Sequence, residues 1–280
     1  MRLVVLSLLL LLIFASCQTE QEPVKVIGAV PIQSDYTTPV MDKDTNVVSK
    51  VVEEVTTSKY TLEELMGKFN PSEHSDFVKM DNKYTDKPDL YLRKAAYADY
   101  QKMHAAAKAE GINLIIRSAT RNFNYQKGIW ERKWTGKTKV RGKDISKTIS
   151  EPVVRAKEIL LYSSMPSTSR HHWGTDIDLN SFDNDYFKTG TGEKVYDWLL
   201  QNAPQYGFCQ PYTAKGKDRP HGYEEERWHW SYLPIAQPLT DLAEAKLKDS
   251  MIEGFKGAET AEEIGVVEKY VLGINSVCRH

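Results

Sequence analysis

Residues 169–178 read SRHHWGTDID, and they predict a tight turn that leads into a short strand. Gly174 permits the turn, because glycine adopts backbone conformations that other residues avoid. Residues 175–179 alternate polar and apolar side chains, as a half-buried strand does. The turn would bring His171 back beside Asp178. We therefore expect an imidazole and a carboxylate to lie next to each other at this strand.

A second motif reads ERWH at residues 226–229 and begins another predicted strand. Its His229 would join His171 and Asp178 as a third metal ligand. Catalytic zinc requires such a set, with three protein ligands, an open position for water and a base beside it. Glu226 lies three residues before His229 and is the candidate base.

A purely structural metal site is the alternative for these residues. Such sites close the coordination of the metal with four protein ligands and are usually rich in cysteine. Asp176 or His172 could supply the fourth ligand, but no cysteine lies near either motif in the sequence. The motifs therefore favour a catalytic metal site.

Periodicity and capping residues predict an α+β fold, in which flanking helices surround a small antiparallel sheet. The predicted helices cover 61–66, 89–110, 122–134, 150–162 and 193–202, and two more lie in the tail that starts near Leu239. The predicted strands cover 112–116, 175–179 and 228–232. Capping boxes at Thr61 and Thr260 are expected to start the first and the last helix.

The N-terminal residues 1–16 are typical of a bacterial signal peptide. Arg2 precedes an apolar run, Leu3 to Phe14, that is short for a membrane span. The following Ala15-Ser16-Cys17 resembles a lipobox, so we expect Cys17 to carry lipid and to anchor an exported lipoprotein in the membrane. Gln18 favours the outer membrane in a cell that has one, with the protein facing the periplasm. Ordinary secretion with an incidental cysteine is the alternative.

The remaining chain divides into three predicted parts: residues 17–58 as the lipidated cysteine and a flexible tether, 59–236 as one well-buried domain, and 237–280 as a C-terminal helical extension. The formal net charge is −1, which favours neither nucleic acid nor an anionic membrane surface. We expect no nucleic-acid partner and a monomeric chain.

Residues 132–147 hold seven Lys or Arg side chains. A solvated loop is the favoured interpretation of this segment, and a basic rim beside the cleft is the alternative.

Lipidation of Cys17 would leave Cys209 and Cys278 as an even pair in an exported protein. A disulfide between them would attach the C-terminal segment to the domain. Two buried free thiols are the alternative, because spacing alone does not determine connectivity.

A third motif, SATR at residues 118–121, follows the strand predicted at 112–116. An arginine there can hold a carboxylate through two parallel hydrogen bonds. A carboxypeptidase needs such a group to recognise the free C-terminus of its substrate. An ordinary surface ion pair is the alternative interpretation of Arg121.

Together the motifs resemble the VanY-type D-alanyl-D-alanine carboxypeptidases, bacterial zinc peptidases that trim peptidoglycan stem peptides. The resemblance covers about residues 60–235. The matching positions of the three family motifs are Ser118, Arg121 and Gln126; Ser169, His171, Gly174 and Asp178; and Glu226, Trp228 and His229. The departures are Ala119 and Thr120 for Gly-Tyr, Asp176 for a small Ala, and Arg227 where Pro is common. We expect Ala119, Thr120 and Asp176 to affect substrate specificity as walls of the pocket.

The resemblance implies a fold like that of Hedgehog and D-Ala-D-Ala peptidases and a Zn²⁺ ion held by His171, Asp178 and His229. It implies that Glu226 takes a proton from the attacking water and passes it to the leaving amine. The implied substrate-binding residues are Arg121 for the terminal carboxylate, Ser118 and Gln126 as helpers, and Ser169, which would contact the substrate or orient the ligands. The implied reaction removes the terminal D-alanine of a stem peptide.

Several alternatives stay open within and outside this enzyme class. The same fold could cleave the L,D bond of a tetrapeptide, the free D-Ala-D-Ala dipeptide or a bond inside the stem. A cell-wall-binding lipoprotein without catalysis is the alternative outside the enzyme class. Retention of all three ligands and of Glu226 favours the enzyme.

Overall fold

The structure is a computed structural model that describes residues 59–279. The predicted signal peptide, the lipidated Cys17 and the tether lie outside the described residues. Helices and short antiparallel strands are intermixed along the described chain, so the predicted α+β class is confirmed. None of the helices within residues 59–279 is long and apolar enough to cross a membrane.

The described strands are β1 (Phe77–Lys79), β2 (Tyr91–Arg93), β3 (Ile116–Ser118), β4 (Asp176–Leu179), β5 (Phe208–Cys209) and β6 (His229–Tyr232). The described α-helices are α1 (Leu62–Leu65), α2 (Lys94–Ala109), α3 (Phe123–Trp134), α4 (Ile145–Thr148), α5 (Pro152–Ile159), α6 (Gly190–Asn202), α7 (Leu233–Lys246) and α8 (Ala261–Ile264). Short helical turns connect several of them.

The central sheet contains four antiparallel strands in the order β3-β4-β6-β5. Ile177 of β4 pairs with Trp230 of β6, and Asp178 pairs with His229. Because successive strand side chains point to opposite faces, the apolar pair and the polar pair lie on different faces of the sheet. The apolar face packs in one hydrophobic cluster with side chains of α2 and α6. The other face carries Asp176 and Asp178 of β4 and their partners Ser231 and His229 of β6.

The prediction that residues 175–179 form a half-buried strand is wrong, because both faces of β4 are covered. All four residues of β4 are buried. On the polar face, Arg170 lies between the sheet and α7, where its guanidinium donates to Ser231 of β6 and to Thr240 of α7. Polar side chains therefore alternate with apolar ones along β4 although the whole strand is buried; Asp176 is fully enclosed.

The predicted starts of two helices are confirmed, and a side-chain cap is present at each. The side chain of Asn122 accepts a hydrogen bond from the backbone of Tyr125 and starts α3. Thr61 forms the predicted capping box with Glu64. The second predicted capping box is absent, because the hydroxyl of Thr260 donates to the carbonyl of Gly257 instead of capping α8.

Two element boundaries differ from the predictions because pairing between strands determines them. The helix predicted from residue 89 starts only at Lys94, since β2 precedes it and pairs with β1. The strand predicted at 112–116 is shifted to β3, which pairs with β4 from Ile116 onward. The pattern of residues within one short segment does not show which distant strand will pair with it.

The C-terminal residues belong to the core of the domain. α7 spans the predicted boundary between residues 236 and 237, and its Leu239 and Ala243 are buried in the same hydrophobic cluster as Trp173. Beyond α7, the chain forms α8 and short helical turns. A disulfide joins Cys278 to Cys209 of β5, with the two Cα atoms 5.8 Å apart.

Removal of this disulfide is expected to destabilise the protein. The bond closes a loop across a sequence separation of 69 residues, and a loop of this kind contributes about 2–4 kcal/mol by restricting the unfolded chain. The double variant Cys209→Ala with Cys278→Ala should therefore melt on the order of 10 °C below the wild type. Circular dichroism with and without reductant measures the shift. Reductant should lower the melting temperature of the wild type but not that of the variant; an unaffected wild type would contradict the prediction.

Candidate active site

A tight turn and a strand pair bring the two motifs together. Antiparallel pairing places Asp178 directly opposite His229. Residues 170–173 form a short helical turn that ends at Gly174, whose φ is 71°. A Cβ at Gly174 would lie 2.2 Å from the ring of Phe77, so only glycine fits this turn. The turn places Nε2 of His171 3.2 Å from Oδ2 of Asp178, as the sequence predicted.

His171, Asp178 and His229 form a buried group suited to a metal ion. Each offers one ligand atom, and these atoms all lie within 4.8 Å of one another. Within residues 59–279, Nε2 of His171 and Oδ1 of Asp178 are buried without a hydrogen-bond partner. Unpaired buried polar atoms are costly, and a cation among them would satisfy both. Two imidazoles and a carboxylate also match the donors that zinc prefers.

The hydrogen bonding of His171 favours the form that binds metal. Its Nδ1 lies 2.8 Å from the carbonyl oxygen of Ala119, and because a carbonyl only accepts, Nδ1 carries the hydrogen. Nε2 is then free to act as a ligand. Burial and the nearby Arg121 lower the pKa of His171, so the imidazole is neutral near pH 7.

His229 is held at both ring nitrogens. Nδ1 lies 3.0 Å from Oε2 of Glu226 and 3.5 Å from Oδ1 of Asp178. Nε2 lies 2.8 Å from Oδ1 of Asp176. Nδ1 is therefore the nitrogen that faces the candidate metal site.

Glu226 is the carboxylate that accompanies the ligands. Burial raises its pKa, and the hydrogen bond with His229 partly offsets that effect. The neighbouring carboxylates are engaged elsewhere, because Glu224 pairs with Lys215 at 2.7 Å and Glu225 pairs with Arg227 at 3.3 Å.

A cleft of about 730 Å³ opens onto these residues. Its lining includes His171, Asp178, Glu226, Arg121, Lys133, Tyr162, Ser163, Phe182, Asp183 and Trp228. The cleft thus exposes His171, Asp178 and Glu226 to a molecule from solvent, and His229 lines a small recess beside it. The guanidinium of Arg121 lies next to these residues, in the place where a carboxypeptidase needs a group that binds the substrate carboxylate.

Arg121 reaches the cleft because the turn before α3 is held by the other motif. Its backbone N–H donates to the carbonyl of His171 at 3.1 Å, and its carbonyl contacts Nδ1 of His172. Its Nε has no hydrogen-bond partner within the described part of the chain. The guanidinium is therefore available to an anionic ligand.

The other predicted substrate-binding residues lie deeper. Gln126 is buried, donates to the carbonyl of Ser164 at 2.8 Å, and lines a small recess beside Arg121 and Glu226. Ser118 and Ser169 are buried and do not line the cleft. The structure therefore does not place either serine where a molecule in the cleft would touch it.

Neither alternative fourth ligand occupies the metal site. Nε2 of His172 accepts a hydrogen bond from the backbone of Ser167 at 3.1 Å, and Nδ1 faces the carbonyl of Arg121. Burial lowers the pKa of His172 to about 3. Asp176 lies behind His229. The expectation that Ala119, Thr120 and Asp176 form walls of the pocket is also wrong, because none of them lines the cleft.

A solvated loop was the favoured interpretation of residues 132–147, but Lys133 of that segment lines the cleft, in line with the alternative interpretation. Its Nζ lies 2.5 Å from Oγ of Ser163, and both residues line the cleft. Burial and the nearby Arg121 lower the pKa of Lys133. Lys133 lies seven residues, or about two helical turns, after Gln126 on α3. The two side chains therefore share the face of α3 that points into the site. This spacing was the sequence signal that could have identified Lys133.

Comparisons with known proteins identify related sequences. The VanY family, described as D-alanyl-D-alanine carboxypeptidase, matches residues 89–235. The chain is 29% identical to a D-alanyl-D-alanine carboxypeptidase of Enterococcus faecalis over 135 residues, which are 48% of this chain and 46% of that protein. It is 29% identical to the Bacillus subtilis protein YodJ over 174 residues, 60% of this chain and 56% of that one. The chain spans about half the length of these curated relatives.

Solved structures with a similar chain path include VanYB in complex with D-alanine-D-alanine, at 23% identity and a TM-score of 0.45, covering 62% of this chain and 87% of that one. The LdcB LD-carboxypeptidase is similar at 23% identity and a TM-score of 0.44, covering 75% and 81% of the two chains. The family match itself covers more than half of this sequence and contains all three motifs. The chain therefore belongs to the VanY family of D-alanyl-D-alanine carboxypeptidases.

Proposed function

We propose that this protein is a zinc-dependent carboxypeptidase that removes the terminal D-alanine from peptidoglycan stem peptides. The observation that carries the proposal is the close grouping of His171, Asp178 and His229 beside Glu226 and Arg121. All of these residues line the cleft except His229, which lines the adjoining small recess. Family membership supports the same reaction class. A binding protein without catalysis would need neither the buried base nor the complete ligand set.

His171, Asp178 and His229 would hold the zinc ion. Zinc bound there would act as a Lewis acid toward the scissile carbonyl and favour deprotonation of water. The protein's own contribution is a prearranged ligand group, because hydrogen bonds to Ala119 and Asp176 fix both imidazoles before any metal arrives.

Glu226 would act as the general base and then as the general acid. A buried carboxylate with a raised pKa is a stronger proton acceptor than one in water, and it can return the proton to the leaving amine. Its Oε2 lies 3.0 Å from a ring nitrogen of His229, so the carboxylate is held at the edge of the ligand group. This position suits proton transfer beside the scissile bond.

Arg121 would bind the terminal carboxylate of the peptide. Arg121→Ala should therefore lower kcat/KM for peptides with a free C-terminus by about 10–100-fold, because a hydrogen bond to a charged group contributes about 1.5–3 kcal/mol. Arg121→Lys should recover only part of this loss, since lysine lacks the planar two-pronged geometry. Steady-state kinetics on matched peptides with a free carboxylate and a C-terminal amide test the role. Equal losses on both peptides would contradict it.

The function is tested with purified full-length chain in detergent, loaded with zinc. Two matched stem peptides are supplied, one ending in D-Ala-D-Ala and one already shortened by one D-Ala, and the products are read by mass spectrometry. Loss of one alanine, abolished by a chelator and restored by zinc, is the expected result. The preferred peptide separates D,D from L,D cleavage. No cleavage of either peptide by folded, zinc-loaded protein would overturn the carboxypeptidase and favour a dipeptidase, an endopeptidase or a binding protein.

We also propose that the protein is an exported lipoprotein anchored through Cys17, with an outer membrane favoured. The lipobox-like Ala15-Ser16-Cys17 supports this proposal. The Cys209–Cys278 disulfide is consistent with an oxidising compartment. Labelling of the chain by radioactive palmitate in a bacterial host, and its loss in Cys17→Ser, would support the anchor; equal labelling of both would contradict it. We expect a monomer, which light scattering of the detergent-solubilised chain measures.

A further inference from the structure

A buried polar cluster lies at the Nε2 edge of the His229 ring. We call it the Asp176 cluster; its members are Arg170, Thr175, Asp176, Ser231 and Thr240. Each of these residues is at most 1% exposed, and none lines the cleft. Buried charges and hydroxyls are costly unless all of them have partners. The cluster satisfies this condition through a closed set of hydrogen bonds.

Four hydrogen bonds hold the carboxylate of Asp176 in one orientation. Oδ1 accepts from Nε2 of His229 at 2.8 Å and from Nε of Arg170 at 3.3 Å. Oδ2 accepts from the hydroxyls of Thr175 at 2.5 Å and Ser231 at 3.0 Å. Because an ionised carboxylate only accepts hydrogen bonds, the hydrogen between Asp176 and His229 belongs to Nε2 of the imidazole.

Arg170 supplies the opposite charge and connects the cluster to α7. Its guanidinium donates to Ser231 at 2.8 Å and to Thr240 at 3.1 Å. It also lies over the ring of Trp173, 4.3 Å from the ring centre. Asp176 and Arg170 thus form a fully buried ion pair, and removal of one partner alone would leave the other charge uncompensated.

We propose that Asp176 is a positioning residue for metal binding. By accepting the hydrogen of Nε2, it fixes the orientation of the His229 ring so that Nδ1 is the nitrogen aimed toward Asp178. The inference rests on the proposed function, because it takes His229 as a metal ligand. Histidine ligands often donate their second ring N–H to a carboxylate, which fixes the ring and makes the ligating nitrogen more basic.

The arrangement is a feature of this chain beyond the ligand motif. The motif pattern has a small Ala where Asp176 stands, so the hydrogen bond to His229 is an addition to the three ligands. Asp176 lies two residues before Asp178 on β4, and strand alternation places both carboxylates on the same face. Asp178 then faces one nitrogen of His229 while Asp176 faces the other.

Zinc affinity is the measurement that tests this role, by competition with a chromophoric chelator on the full chain. Asp176→Asn keeps the size of the side chain but removes its charge. The double variant Arg170→Met with Asp176→Ala removes both charges, so that no buried charge is left unpaired. Each is expected to bind zinc about 10–100-fold more weakly than the wild type, as loss of such a hydrogen-bond partner typically does. The visible spectrum of the Co²⁺-substituted chain should change in both.

Thr240→Val is the matched control. It removes one hydrogen bond from Arg170 at the far end of the cluster and leaves the contact between Asp176 and His229 intact. It should lower the melting temperature without changing zinc affinity or the Co²⁺ spectrum. Wild-type zinc affinity in both charge variants, folded by circular dichroism, would overturn the role of Asp176 and leave the proposed function standing. A wild-type chain that binds no zinc would overturn both.

Discussion

Glu226→Gln is expected to lower kcat by about 10²–10⁴-fold, the usual contribution of a positioned general base, and to leave zinc affinity close to that of the wild type. Glutamine preserves the size of the side chain and can still hydrogen-bond with His229, but it cannot accept a proton from water. The ligand atoms of His171, Asp178 and His229 stay in place. Turnover of a D-Ala-D-Ala peptide and the zinc content of the same preparation measure the two effects separately.

Glu225→Gln is the matched control for this experiment. Glu225 is the adjacent carboxylate in the sequence, pairs with Arg227 at 3.3 Å and does not line the cleft. This variant should keep the wild-type kcat. If Glu226→Gln turned over substrate at the wild-type rate, Glu226 would not be the base, and a different proton acceptor in the cleft would have to be found.

His171→Ala is expected to abolish both zinc retention and turnover. His171 supplies one of three ligand atoms, and its Nε2 is buried without another partner within residues 59–279. In the wild type, free zinc at one hundred times its dissociation constant should raise the free energy of unfolding by about 2.7 kcal/mol. The variant should show no zinc-dependent rise in melting temperature. Elemental analysis and thermal unfolding with and without zinc provide the measurements.

His104→Ala is a suitable control for the loss of an imidazole. His104 lies on α2, where its ring contacts Tyr84 at 4.9 Å between centroids, and it is outside the ligand group. The variant should retain zinc and the zinc-dependent rise in melting temperature. A His171→Ala variant that still held zinc stoichiometrically would show that the metal binds elsewhere, and the assignment of His171, Asp178 and His229 would be wrong.

Much of the fold could be predicted from local signals. Asn122 caps α3, Thr61 forms a capping box, and Gly174 occupies a turn with positive φ, because each of these features depends on a few neighbouring residues. The boundaries of β2 and β3 could not be predicted in the same way. They depend on strands far along the chain, whose pairing decides which residues form the ladder.

In the candidate site, too, some features follow from neighbouring residues and others depend on the packing of distant segments. The spacing of His171 and Asp178 around a glycine turn predicted their contact, and the structure places them 3.2 Å apart. Lys133 was hidden in a basic segment, and Asp176 was expected in the pocket. Their positions depend on which helix covers which face of the sheet, and that information lies in packing across the whole domain.

By itself, the sequence determined the inventory of chemistry: two imidazoles and a carboxylate at metal-ligand spacing, a base three residues before the last of them, and an arginine after a strand. It did so because turn and strand geometry are short-range and tie residue spacing to direction. The tertiary structure alone decided what surrounds that inventory. It enclosed Asp176 of β4 together with Arg170, connected Arg170 to α7, and joined Cys209 to Cys278. Those contacts join residues far apart in the chain, and only close packing of the folded core selects them.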